Sequence, residues 1–169
     1  MAGSITLNKA SGGQLTISPE DGTSTETVTI PSVGVGKVLQ VIQAKGLTGR
    51  QIYTSSSYLT ILSASITPSS TTSKILVSVH SSATRTSNGY INSRIHCLTN
   101  GTSPLFIDTQ SGYLAGSSSE HSFGSISGEA LDSPNTTSAV TYALQVIIEN
   151  GASMFVDGQP VITLMEVAA

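Results

Sequence analysis

Tyr142-Ala143-Leu144-Gln145-Val146-Ile147-Ile148, then Asn150-Gly151, then Met154-Phe155-Val156 is the stretch on which the fold class turns. Two apolar runs, rich in β-branched and aromatic residues, flank a dipeptide that tolerates positive φ, as a tight hairpin turn requires. This spacing predicts a β-hairpin, the clearest one in the chain. Good helix formers are scarce elsewhere, and no segment carries apolar residues at helical spacing over three turns.

Working outward, the same alternation recurs. Further strands are expected at Lys37–Ala44, Leu59–Thr67, Lys74–His80, Tyr90–Leu98 and Val161–Val167, with shorter ones at Leu105–Asp108 and Ser122–Ile126. Ile5-Thr6-Leu7, Leu15-Thr16-Ile17 and Val28-Thr29-Ile30 repeat the pattern near the start. Asn88-Gly89, Asn100-Gly101, Asp21-Gly22 and Asp157-Gly158 supply turn chemistry between them. About ten short strands with such breaks describe an antiparallel, all-β sandwich or barrel. Composition does not separate a jelly roll from an immunoglobulin-like sandwich.

The organisation divides near Gly34-Val35-Gly36. Residues 1–35 read as a short N-terminal β arm, too small and polar to build a core alone. Residues 36–169 hold enough apolar strand for an independent sandwich. An arm with so little core needs another surface to cover it, which is a first pointer to assembly.

Charged residues make up 10% of the 169, against roughly 25% in an average domain. Ser and Thr take their place, at roughly three residues in ten. A net charge of −3, with Lys and Arg scattered, argues against nucleic-acid binding. No apolar stretch reaches the ~20 residues of a membrane-spanning helix, so no membrane insertion is expected. Met1-Ala2-Gly3-Ser4-Ile5 lacks the pattern of a secretory signal, and the single cysteine, Cys97, allows no internal disulfide. Synthesis in a cytoplasm fits both.

Candidate chemistry is sparse. His80, His96 and His121 fall on separate segments without ligand-like spacing. Cys97 beside His96 has the makings of a nucleophile and base, but neighbours on a strand point to opposite faces. Glu129 and Asp132 read as a solvated loop rather than a carboxylate dyad. No Gly-x-Ser-x-Gly elbow or phosphate cradle occurs. The expectation is a protein that is not an enzyme, with no catalytic residues, metal or cofactor. For sugar recognition the candidates are tyrosines in or beside Ser/Gly-rich loops, with Tyr53, Tyr90 and Tyr113 the candidate glycan contacts. Against this, large rings more often pack than project.

Three stretches carry a resemblance: Gly36-Lys37-Val38-Leu39-Gln40-Val41-Ile42; Ser65-Ile66-Thr67-Pro68 through Lys74-Ile75-Leu76-Val77-Ser78-Val79; and Asp132-Ser133-Pro134 through Tyr142 with Ile162-Thr163-Leu164-Met165-Glu166-Val167. Together they resemble a β domain at the C-termini of tail-fibre-like and other virion surface proteins of tailed bacteriophages. The resemblance covers about residues 36 to 167. It implies a jelly-roll-like sandwich, a homotrimer, display on the virion exterior after synthesis in the host cytoplasm, and in some members contact with a host surface glycan. It transfers no catalytic residue.

A fibre normally has a long shaft, whereas 35 residues reach at most ~120 Å even fully extended. That departure favours a capsid decoration (cement) protein or short head fibre. The arm, through Ile5, Leu7, Leu15 and Ile17, would then be the particle attachment. Its partners would be the major capsid protein or tail and fibre proteins. The alternatives are a receptor-binding tip at the tail, separable by its location on the particle, and a free carbohydrate-binding module, marked by glycan affinity that one loop tyrosine carries.

Overall fold

The computed structural model describes residues 5–8, 14–17, 37–85, 89–99, 104–114, 122–148 and 153–169. The chain divides into two compact units, Met1–Val33 and Gly34–Ala169. In the first, β1 (Ile5–Asn8) and β2 (Gln14–Ile17) form an antiparallel ribbon whose register sets Ile5 opposite Ile17 and Leu7 opposite Leu15. Val28-Thr29-Ile30 and Asp21-Gly22 lie outside the described residues.

The second unit is all-β. Its strands are β3 (Val38–Lys45), β4 (Gln51–Tyr53), β5 (Leu59–Ile66), β6 (Lys74–Arg85), β7 (Gly89–Cys97), β8 (Phe106–Leu114), β9 (Ser122–Asp132), β10 (Val140–Ile148), β11 (Met154–Val156) and β12 (Val161–Val167). Every pairing is antiparallel. One sheet runs β5-β10-β7-β8; the other has six strands, β3-β12-β6-β11-β4, with β9 also paired to β6.

Register simplifies the larger sheet. β9 follows β6 from Ile75 to Arg85 along one edge. Along the opposite edge β12 pairs from Lys74 to His80 and β11 continues at Thr84 and Arg85, so β11 and β12 lie end to end. β3 and β4 pair with β12 and β11 in the same end-to-end manner. Each of these two couples is therefore one interrupted strand. The order β3/β4, β12/β11, β6, β9 against β5, β10, β7, β8 is the eight-strand connectivity of a jelly roll, which separates it from an immunoglobulin-like sandwich.

The two interruptions fall side by side and lock together. The Gly46 amide donates to the Pro160 carbonyl at 2.8 Å, Gln159 Nε2 donates to the Gly46 carbonyl at 3.0 Å, and Arg50 pairs with Asp157 at 2.6 Å. A Cβ on Gly46 would lie 2.5 Å from the Pro160 ring, so only glycine permits this approach.

The core lies between the sheets and follows the period-two rule. Ile75, Val77 and Val79 on β6 and Ile162 and Leu164 on β12 meet Val140, Tyr142, Leu144, Val146 and Ile148 on β10, all buried. Each side chain of this kind stabilises by about 1.5–3 kcal/mol. At the corner between sheets, the Phe106 ring of β8 fills the space a side chain on Gly128 of β9 would need, 2.7 Å from an added Cβ.

Two expectations fail. Tyr142–Ile148 and Met154–Val156 do not pair as a hairpin, because β10 belongs to one sheet and β11 to the other; Asn150-Gly151 itself lies outside the described residues. Glu129 and Asp132 are not on a loop but within β9, which extends six residues beyond its expected end.

Candidate functional site

The inward face of the larger sheet carries charge at both ends. Continuing the alternation Ile162, Leu164 by one step puts Glu166 inside, with no exposed surface. Its carboxylate accepts from Gln40 Nε2 at 2.6 Å, the Ser69 amide at 2.7 Å and the Ser69 hydroxyl at 2.6 Å. Burial pushes its pKa up, but these donors outweigh it and hold the group at about 2. In the same cross-strand row, Ile75 separates Glu166 from Asp132. Asp132 accepts the phenol of buried Tyr142 at 2.7 Å, a bond between the sheets. Burial, then this bond, pushes the Tyr142 phenol well above its usual range.

At the other end of β6 stands Arg85, fully buried, opposite Met154 on one side and Ser122 on the other. None of its guanidinium nitrogens makes a hydrogen bond to a described residue. Burial lowers its pKa, with Tyr90 opposing the fall. The sequence signal was available for Glu166, which continues the inward alternation of Ile162 and Leu164, but not for Arg85, which follows Ser81 after the apolar alternation of β6 has lapsed.

The expected site residues are placed as follows. Tyr53 lies on β4, half-buried against the core, in the row Tyr53, Met154, Arg85. Tyr90 is half-buried on β7, with Tyr113 of β8 opposite it in register. Tyr53 and Tyr90 thus belong to the Arg85 end. Cys97 is buried in the core while His96, next to it, is half-buried on the outer side of β7. His80 is exposed on the outer side of β6, and His121 lies outside the described residues. Glu129 is on the outer side of β9, opposite Ser78, whereas Asp132 faces in, so the two carboxylates do not converge. No group of three His, Cys, Asp or Glu gathers among the described residues.

The two outer faces of the sandwich differ. On the smaller sheet, Arg94 stacks at 3.8 Å over the Tyr58 ring and donates to Gln145 at 2.7 Å; Gln145 donates to Thr60 at 3.0 Å. Hydroxyls of Ser65 and Thr141 pair at 2.7 Å nearby. These polar groups bond to one another, while His96 Nδ1, buried on the same face, finds no hydrogen-bond partner among the described residues.

On the larger sheet, register lines up two apolar rows. One runs Val41, Met165, Leu76, Leu131; the other runs Ile52, Phe155, Thr84, Phe123. Between them lies a polar band holding Gln43, Thr163, Ser78 and Glu129, then Lys45 and His80. The ends of the apolar rows are bare: Val41 is 55% exposed, Leu131 57%, Ile52 62% and Phe123 79%.

No protein-family model and no curated protein matches the chain. Among solved structures, one titled "Structure of infectious bursal disease virus Gt strain" matches over 94% of this chain with a TM-score of 0.38 and 11% identity. The chain spans 48% of that structure's chain. The jelly-roll assignment rests on the strand order above.

Proposed function

We propose that this chain is a non-enzymatic structural protein of a virus particle, a trimeric capsid decoration (cement) protein or short head fibre displayed on the exterior. The observation that supports this best is a jelly roll whose larger sheet leaves apolar side chains bare along the flanks of its outer face. Jelly rolls recur in viral capsid and lectin domains, and apolar patches left open on a folded domain mark surfaces that other proteins cover. The resemblance of residues 36 to 167 to virion surface domains of tailed bacteriophages points the same way. Ile5 stands opposite Ile17 and Leu7 opposite Leu15 in the β1–β2 register, and these four are the proposed grip on the major capsid protein.

Fold alone assigns no function, so the test is location. Gold-labelled antibody against the chain should decorate particle heads, and a chain lacking residues 1–33 should not bind them. Label confined to the tail would make it a receptor-binding tip instead. Absence of label from particles would overturn a virion role.

One observation favours a second reading, a glycan-binding module: Tyr53 and Tyr90 fall at the Arg85 end, with Tyr113 opposite Tyr90. Glycan affinity lost in Tyr90→Ala, without any particle binding, would establish it.

A further inference from the structure

We propose that copies of this chain meet through the outer face of the larger sheet, around a symmetry axis parallel to the strands, with the β3/β4 flank of one copy against the β9 flank of the next. This names the surface of the trimer and rests on that reading.

Three features carry it. On this face the bare apolar row ends sit at the flanks: Val41 and Ile52 on one side, Leu131 and Phe123 on the other. Rotation about an axis parallel to the strands preserves height along them. Each apolar row then meets its own counterpart, Val41 against Leu131 and Ile52 against Phe123, some 26 Å apart by the roughly 3.3 Å rise of a strand residue.

Charge then selects this axis over its rival. Lys45 sits on the β3 flank and Glu129 on the β9 flank, one outward position apart in height, within the polar band. Both are exposed, and neither forms an ion pair with a described residue. The axis along the strands brings Lys45 toward Glu129 of the neighbour. An in-plane two-fold across the strands would instead set Lys45 against Lys45 and Glu129 against Glu129. Opposite charges facing across a contact fix register, and like charges there oppose it.

A contact between two different flanks is head-to-tail, and rotation closes it into a ring. The partner is therefore another copy of this chain. The smaller sheet, whose outer Arg94, Gln145, Thr60, Ser65 and Thr141 bond among themselves, stays outside.

The test is solution mass of the full-length chain by light scattering, with folding followed by circular dichroism. The wild type should have trimer mass. Phe123→Glu with Leu131→Glu should reduce it to monomer mass at least tenfold more readily on dilution, while the β spectrum and melt persist. Phe123→Leu should retain the trimer. Lys45→Glu and Glu129→Lys should each weaken assembly, and the two together should restore it. A trimer indifferent to the Phe123 and Leu131 changes would overturn this surface while leaving the trimer standing. Failure of the charge swap to restore assembly would overturn the axis. A monomeric wild type would remove the trimer reading and this inference with it.

Discussion

The two ends of the larger sheet handle buried charge in opposite ways. At one end Glu166 has no exposure, yet three donors from β3 and the β5–β6 turn converge on it. At the other end Arg85 is equally buried and its guanidinium makes no hydrogen bond to a described residue. Wiring, not burial, decides whether an internal charge supports a fold. The acidic end ties β3, β12 and the turn into one unit, and Tyr142 with Asp132 adds a link to the other sheet. At the basic end no described hydrogen bond offsets the cost of burial.

The sharpest break of this comparison is Glu166→Ala. It strands the Ser69 and Gln40 donors, and urea denaturation should show a loss of about 3 kcal/mol. A change below half a kilocalorie would mean those donors find water at no cost. Next comes Arg85→Met, which keeps the length and removes the charge. Here we expect a gain of roughly 1–3 kcal/mol, read as a higher denaturation midpoint with an unchanged slope. A loss would show that the guanidinium has a partner in solution.

Acid titration sharpens the same contrast. The pKa of Glu166 is about 2 when folded against an ordinary 4.5. A depressed carboxyl contributes fully above pH 4.5 and loses its contribution as the pH falls toward 2. Thermal melts of the wild type should weaken across that window by about 1–2 kcal/mol once solvent screening is allowed for, and Glu166→Gln should flatten that part of the curve. The smallest effect is expected from Tyr142→Phe at neutral pH, about 1 kcal/mol. Its signature is alkaline: the raised phenol stabilises below pH ~10 and loses its contribution above it, so the variant should resist high pH better than the wild type.

Much of the fold was legible because its signal is local. Val161–Val167 and Met154–Val156 match the observed strands residue for residue, and the edges of β3, β5 and β10 shift by one or two. What escaped has a common cause. β6 runs on through Ser81-Ser82-Ala83-Thr84-Arg85, and β9 through Ser127 to Asp132, where hydroxyls and charges replace apolar residues without ending the ladder. The three-residue β4 is recognisable only as a continuation of β3 past a break. Asn150-Gly151 carries genuine turn chemistry, but a dipeptide holds no information about which sheet receives the next strand. The outer face could not be read at all, since its rows are assembled from β3, β4, β6, β9, β11 and β12.

The pairing of β3 with β12 joins the first and last strands of the domain, Val38 lying opposite Val167. Contacts of such sequence separation place the chain among slow folders. During synthesis, Val41 and Ile42 would leave the ribosome long before their ladder partners Met165 and Leu164. For that interval β3 is an unpaired apolar edge, vulnerable to the wrong neighbour. A chain stopped before Val161–Val167 would leave the outward face of β3 and its ladder edge without their partner strand, a species open to association with other copies.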